Sequence, residues 1–437
     1  MKLVQRIGNA VRSTVAHVAR VSRGAPVVGR VVVPRPVDSV RDYPSAGLTP
    51  SRLATILREA DDGSLATAMQ LFEEMEEKDA HLFAVANMRR LALTGLEWEI
   101  VSAADARPGL DRSLADEAAA YARDVLTGID SFDETLQHLS LAIGRNISLA
   151  EVVWDFDHGE LRPVELAAVD FTRIVFDELD RPRVLTDDHP RDGIEISPNK
   201  FIVHTPHSVS GHPQRGGLLR VTAMVYLAKN LALKDWMIFA EVFGMPVRIA
   251  RYEPSATPEE KRELLRMLET RGSNAVGIFS RAVELQVIEA NRGTGGPPYE
   301  RLIEFLNREM SKAWLGQTLT TDISGQSGSV AATQVHEQVR QDVLADDIAK
   351  EARTIRRDLL GPITQLRFGP DAPVPYFRRK LRQVATAREL ADLLDSAVNR
   401  LGMRVPQSWV HERLGMPRAG NGEAALVRNL ENNSANG

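Results

Sequence analysis

The 437-residue chain contains no cysteine, so disulfides and thiolate metal sites are excluded and nothing in it demands an oxidising compartment. It lacks any uninterrupted apolar run of about 18 residues and any signal-peptide core, the expectation for a cytoplasmic or particle-borne protein without a membrane partner. No G-x-x-x-x-G-K-[ST] run is present: GQSGSV and GTGGPP carry glycine but not the lysine that reaches phosphates, which excludes an ATPase motor. No G-x-S-x-G elbow occurs either, and Ser327 in GQSGS has no strand expected before it. Excess charge is scarce as well. With 54 basic and 59 acidic residues the net charge is -5, which argues against a surface that grips nucleic acid throughout.

What is present is concentrated between Gly216 and Thr333. The segment GGLLRVTAMVYLAKNLALKDWMIFAEVFG keeps helical spacing through Leu219, Met224, Leu227, Leu231, Met237 and Phe243, and Val221, Val225, Leu233, Trp236 and Ile238 widen the stripe. A helix apolar on most sides needs protein or lipid around it. Lys229, Asn230, Lys234 and Asp235 at mid-helix count against lipid, where each charge costs about 2.5 kcal/mol or more. From Met245 to Pro298 a small α/β unit is expected. It holds a strand VRIARY, a helix opened by the capping box Thr257-Pro258-Glu259-Glu260 and ended near Gly272, two strands AVGIFS and VELQVIEA, and a closing run NRGTGGPP. A second helix, YERLIEFLNREMSKAWLG, leads into the polar stretch QTLTTDISGQSGSVAATQ. An amphipathic helix follows through Val335, Val339, Val343, Ile348, Ile355 and Leu359.

Upstream, residues 1–41 carry Lys2, Arg6, Arg12, Arg20, Arg23, Arg30, Arg35 and Arg41 against the single acid Asp38, and VVVPRPV points to an extended basic arm. DNA, a neighbouring subunit and a capsid shell all fit such an arm, as does a tail without a duty or a transit peptide. SLATAMQLFEEMEEKDAHLFAVANMRRLALTG reads as helix with a break near Lys78, its acids Glu73, Glu74, Glu76 and Glu77 forming a solvated face by the stronger reading and an acidic belt at a subunit interface by the weaker. Trp98 falls in the strand LEWEIVSA as packing, and helices are expected at about 113–127 and 132–145. Alternation around Asp157-His158-Gly159 predicts a hairpin that sets Glu151, Asp155 and Asp157 on one face, a cation site by the weaker reading and a solvated edge by the stronger. His204, His207 and His212 form the one enzyme-like cluster, but no cysteine or nearby acid completes it and the spacing is not that of H-E-x-x-H. Near the C-terminus, Thr386-Ala387-Arg388-Glu389 is a second capping box, PQSWVHERLG gives a short helix, and the Asn- and Gly-rich tail reads as disordered.

Four segments in fixed order carry a resemblance: HLFAVANMRRLALTGLEWEI (81–100), FIVHTPHSVSGHPQRGGLLR (201–220), LALKDWMIFAEVFGMPVR (231–248) and LGQTLTTDISGQSGSVAATQVHEQVRQDVL (315–344). Together they resemble the portal proteins of Mu-like tailed phages, over about residues 45–420. The resemblance implies a mainly α, α+β portal fold. Its parts would be a basic arm (1–44), a wing (45–216), a first stem helix (217–243), a clip (244–297), a second stem helix (298–314), a tunnel loop (315–332), a wing helix with its connection (333–375), short crown-like helices (376–417) and a tail (418–437). The crown departs from longer family members, which carry more C-terminal sequence.

The implied function is a non-enzymatic ring of probable twelvefold symmetry at one capsid vertex, through which double-stranded DNA enters and leaves. Its partners would be the terminase large subunit, the major capsid protein and head-completion or head-tail connector proteins, with no cofactor. It would belong to the virion, after assembly in the host cytoplasm. Gln317, Thr318, Thr320, Thr321, Asp322, Ser324, Gln326, Ser327 and Ser329 are the expected DNA-facing loop residues, because weak, mostly uncharged contacts let a duplex slide. Lys229 and Lys234 are the expected channel-facing stem residues. The competing readings are a head-tail adaptor, usually shorter and without paired stem helices, and a metal-dependent hydrolase built on His204, His207 and His212.

Overall fold

Helix α1 (Pro50–Asp61) begins where the extended Thr49 accepts from the Arg52 N–H at 3.2 Å and Pro50 takes the first turn. Helices α2 (Ala66–Lys78) and α3 (Ala80–Thr94) are separated by one residue, the expected break. Asp79 is extended there, and its Oδ1 accepts from the N–H groups of His81 and Leu82, both at 3.0 Å, so the second helix is capped as the first ends. Strand β1 (Trp98–Val101), the single turn α4 (Ala103–Ala106), α5 (Arg112–Thr127), α6 (Phe132–Ser140) and α7 (Ala142–Arg145) follow. The computed structural model describes residues 26–32, 43–157, 159–206, 212–244, 248–269, 276–280, 298–318, 330–381, 387–414 and 416.

The expected hairpin is present as β2 (Ser148–Asp157) and β3 (Glu160–Ala168). Short strands β4 (Ile174–Phe176), β5 (Pro182–Val184) and β6 (Ile194–Glu195) make a separate antiparallel sheet, and β7 (Phe201–His204) returns to pair with β2, giving the order β3-β2-β7. Opposite Val153 and Trp154 the strand β3 carries one extra residue, Val164, so the bulge lies in β3 and the alternation of β2 runs on. Along β2, Glu151 is buried with Lys200 at 3.1 Å, Asp155 is exposed, and Asp157 pairs with Arg162. The acids are taken up singly, and among the described residues they do not gather into a cation site.

Helix α8 (Leu218–Gly244) is followed by β8 (Arg248–Tyr252), α9 (Pro258–Glu269) and β9 (Val276–Ser280), with β8 and β9 parallel as a helix crossover requires. The capping box closes reciprocally: the Thr257 N–H donates to Glu260 Oε2 at 2.8 Å and the Glu260 N–H to Thr257 Oγ1 at 3.3 Å. The expected strand VELQVIEA and the run NRGTGGPP lie outside the described residues. Helix α10 (Pro298–Leu315) precedes α11 (Val330–Ile355), which continues through a widened turn at Arg356–Leu360 into α12 (Gly361–Phe368). Strand β10 (Tyr376–Arg379) then pairs antiparallel with β1.

Two apolar clusters hold these elements together. One joins α1–α3, Ile174 and Phe176 to Leu219, Tyr226, Leu227, Met310 and Trp314; the other joins α5, α6 and the inner face of the β2 sheet to Ile355, Leu359, Leu360, Ile363 and Phe377. Trp98 packs as expected, edge-on to Phe132 at 5.1 Å and stacked on Phe377 at 6.3 Å. The chain divides after Lys380, not at 376. The reason lies in β10, where Arg379 makes a buried two-armed pair with Glu351, both bonds 2.8 Å. Burial pushes the Glu351 carboxyl up, opposed by Arg379 and reinforced by the nearby Asp347 charge. The second unit contains α13 (Ala387–Asp395), a widened turn at Ser396–Arg400, and α14 (Gln407–Leu414); its expected capping Thr386 lies outside the described residues.

The α2 acids divide: Glu77 is exposed and Glu73 half-buried, but Glu74 and Glu76 are withdrawn into pairs. Glu74 is buried and accepts from the Ser45 N–H at 3.3 Å and from Lys78 at 2.7 Å, while Glu76 sits between Arg90 and Arg145. These partners come from outside the helix or from its last turn, so a reading of exposed local charge missed them.

Candidate functional site

The two expected stem helices pack side by side and run antiparallel. At one end Gly144 lies against both Leu219 and Trp314, and at the other the rings of Phe239 and Tyr299 are 6.0 Å apart. Gly217 makes this start possible: its φ of +93° is left-handed, and a Cβ there would collide with the Gly144 carbonyl. The root of the pair is core. Leu219, Ala223, Tyr226 and Leu227 on α8, with Met310, Trp314 and Leu315 on α10, are buried against α2 and α3.

Polar contacts fix the root in position. Lys229 pairs with Asp79 at 2.7 Å, so the residue that caps α3 also holds α8. His81 Nε2 and Ser311 Oγ are 2.8 Å apart, linking α3 to α10. Burial lowers the His81 pKa first and the Lys229 ammonium lowers it further, while Asp79 pulls the other way, which favours a neutral ring. Arg89 donates to Asp347 through Nε at 2.8 Å and Nη2 at 3.0 Å, and through Nη1 to the Trp314 carbonyl at 2.8 Å. It thereby joins the C-terminal end of α10 to α11, the two feet of the polar loop. Gly316, with φ of +69°, lets the chain turn where a Cβ would lie 2.8 Å from Val339. The signal in the sequence was the Arg89-Arg90 pair inside an otherwise apolar helix.

On their other faces, at the root as well as beyond it, the same two helices carry uncovered apolar side chains. Val221, Met224, Leu231, Met237 and Ile238 on α8, and Leu302 and Phe305 on α10, are exposed large apolar side chains; Met237 is 73% exposed. Positions 221, 224, 231 and 238 recur at helical spacing and form one stripe along α8, opposite the face that enters the core.

The expected site residues separate. Lys234 is exposed on α8, but Lys229 is buried against Asp79 and presents no charge to solvent, a correction that follows from its partner lying 150 residues away. Gln317 is buried and Thr318 half-buried. Thr320, Thr321, Asp322, Ser324, Gln326, Ser327 and Ser329 lie outside the described residues. The histidines do not form a ligand set: His204 Nδ1 faces Thr354 Oγ1 at 2.9 Å, His212 Nδ1 faces Asp180 at 2.6 Å, and His207 lies outside the described residues. Among the described residues no group of three His, Asp or Glu is placed to hold a metal ion, and no helix is long and apolar enough to cross a membrane.

The family described as the portal protein of Mu bacteriophage matches residues 69–416. The portal protein of Escherichia phage Mu is 31% identical over 390 residues, covering 89% of this chain and 74% of its own length. The Mu-like prophage FluMu protein gp29 of Haemophilus influenzae is 30% identical over 401 residues, covering 90% and 75%. Among solved structures, the neck of an empty gene transfer agent particle computed with C6 symmetry aligns with a TM-score of 0.47 and 15% identity, covering 84% of this chain and 94% of that one. An HK97 family phage portal protein from Corynebacterium diphtheriae aligns with a TM-score of 0.37 and 12% identity, covering 74% and 97%.

Proposed function

Because this chain belongs to the portal protein family of Mu bacteriophage, a structural rather than enzymatic family, we propose that it forms a closed ring at one capsid vertex, with α8 and α10 as the stem around a channel for double-stranded DNA. The observation that supports the ring is the uncovered apolar stripe Val221, Met224, Leu231 and Ile238, which no other part of the described chain covers. In a ring each stripe meets a different surface of the next copy, a head-to-tail contact that closes when the rotation per subunit divides a full turn. The β8-α9-β9 unit, at the far end of the stem helices in the chain, is the clip on which the terminase large subunit and later the head-completion proteins dock. The segment 315–332 is the tunnel loop, footed on α10 and α11 through Arg89, and the wing is the part that meets the major capsid protein. The protein works in the virion and is assembled in the host cytoplasm.

Negative-stain electron microscopy of the purified protein, with mass from light scattering, tests this reading. A closed ring with a hole wide enough for a duplex is expected, with twelve copies as the anticipated number; a stable monomer with the stripe still exposed overturns it. Deleting Thr320 to Ser327 should leave the ring formed and impair packaging or DNA retention. Loss of the ring in that variant would make the loop a structural connector instead.

A further inference from the structure

The N-terminal arm is basic and rich in valine; within residues 26–32, Pro26 and Val32 are buried, Val32 in the apolar core, and the residues between them are held mainly by their backbone. Strand β7 pairs with β2 only over Ser148–Glu151, and beyond it the arm takes over the edge: Val28 bridges Trp154 in parallel and the Gly29 N–H donates to the Trp154 carbonyl at 2.9 Å. Glu151, fully buried, then accepts from the N–H groups of Val31 at 2.5 Å and Val32 at 2.8 Å. Lys200, also buried, pairs with Glu151 at 3.1 Å, donates to the Val152 carbonyl at 3.1 Å and to the Gly29 carbonyl. The side chains of Val27 and Val28 remain about half exposed, and Arg30 reaches Glu165 at 3.5 Å.

This is the chemistry of a peptide-binding edge. An extended backbone is recognised by strand addition, and a buried carboxylate and ammonium read one carbonyl and two amides. The polar receptor atoms belong to β2, to Lys200 and, for Arg30, to Glu165 of β3; residues 33–42 connect the docked segment to Tyr43. That ten-residue connection can span at most roughly 35 Å. An identical segment from another copy satisfies the same contacts, and exchange of identical elements is a low-cost way to join protomers. In a ring the neighbouring arm is present at high effective concentration.

We propose that the β2 edge with Glu151 and Lys200 is a peptide-binding site whose ligand is residues 26–32 of the adjacent copy, so that arms are exchanged between neighbouring subunits. This rests on the ring reading above. Exchange ties each subunit to the next through a contact remote from the stem stripe, and it directs the basic segment ahead of Pro26 from one wing onto another.

The absence of cysteine makes the test direct. In the full chain, Arg30→Cys with Glu165→Cys places the only two thiols across the contact, both at partly exposed positions. A short flexible bismaleimide is added to the assembled protein, which is then run on a denaturing gel and viewed in parallel by electron microscopy. A ladder of covalently joined chains is expected, collapsing to single chains when Val31→Pro and Val32→Pro remove the two amide donors. Looped single chains in intact rings overturn the exchange and leave the ring standing, as does a ladder that survives the prolines. Absence of rings ends the ring reading by itself; covalent dimers would then still support exchange, and looped or unlinked single chains would end it too.

Discussion

The root and the tip of α8 have much the same composition and opposite fates. At the root Leu219, Ala223, Tyr226 and Leu227 are sealed against α2, α3 and α10, and a lysine is drawn in with them by Asp79; at the tip Met237 and Ile238 stand in solvent. An apolar helix therefore says how much surface needs a partner, not which partner supplies it. The root found its partner within the chain. At the tip, apart from the Phe239 contact with Tyr299, the described residues leave Met237 and Ile238 uncovered, which supports an intermolecular partner.

The largest expected effect comes from breaking the root. Trp314→Ala removes a fully buried indole packed beside Leu219 and should cost about 3–5 kcal/mol, seen as a fall in the denaturation midpoint and in soluble yield. Lys229→Ala leaves Asp79 buried without its ion-pair partner, though still capping α3, and should cost about 3 kcal/mol by the same measurement.

The next effect depends on pH and belongs to His138 on α6. Burial pushes His138 from 6.5 down to about 4, although its hydrogen bond to the Leu149 carbonyl opposes the shift. The folded state thus favours the neutral ring, and the unfolded state takes up the proton first as pH falls. The stabilisation is complete above pH 6.5, declines as pH falls and is gone below about 4, a loss of up to about 3 kcal/mol. Chemical denaturation at a series of pH values should show this slope, and His138→Gln should flatten it.

The smallest effect on the subunit is expected at the tip. Ile238→Glu should change subunit stability by no more than about 0.5 kcal/mol, because the side chain is already half exposed. It should nevertheless lower the mass found by light scattering to that of unassembled chains. A full ring in this variant would remove the stripe from the interface, and a large stability loss would mean that the tip is covered within the chain.

Several elements were legible because their causes are local. The bounds of α8 and α10, the break at Asp79, the hairpin at Gly159 and the Thr257–Glu260 capping box rest on partners a few residues away or on periodicity. Long-range pairing was not legible. Glu76 meets Arg145, Arg89 meets Asp347, Lys200 meets Glu151 and His204 meets Thr354, and no spacing rule connects such positions. Alternation along β2 placed Glu151 on a face but could not show that this face is buried, because Lys200 and the amides of Val31 and Val32 that meet it come from elsewhere in the chain.

By itself the sequence determined the long helices, the hairpin, the family, and the amount of apolar surface on each long helix, since these follow from periodicity, capping and residue pattern. Only the tertiary structure decided the short strands β4–β6 and β10, which charges are withdrawn from solvent, which face of α8 is core, and that residues 26–32 are seated on β2. A buried ion pair or an uncovered stripe is a property of what lies opposite, and what lies opposite is set by folding in three dimensions.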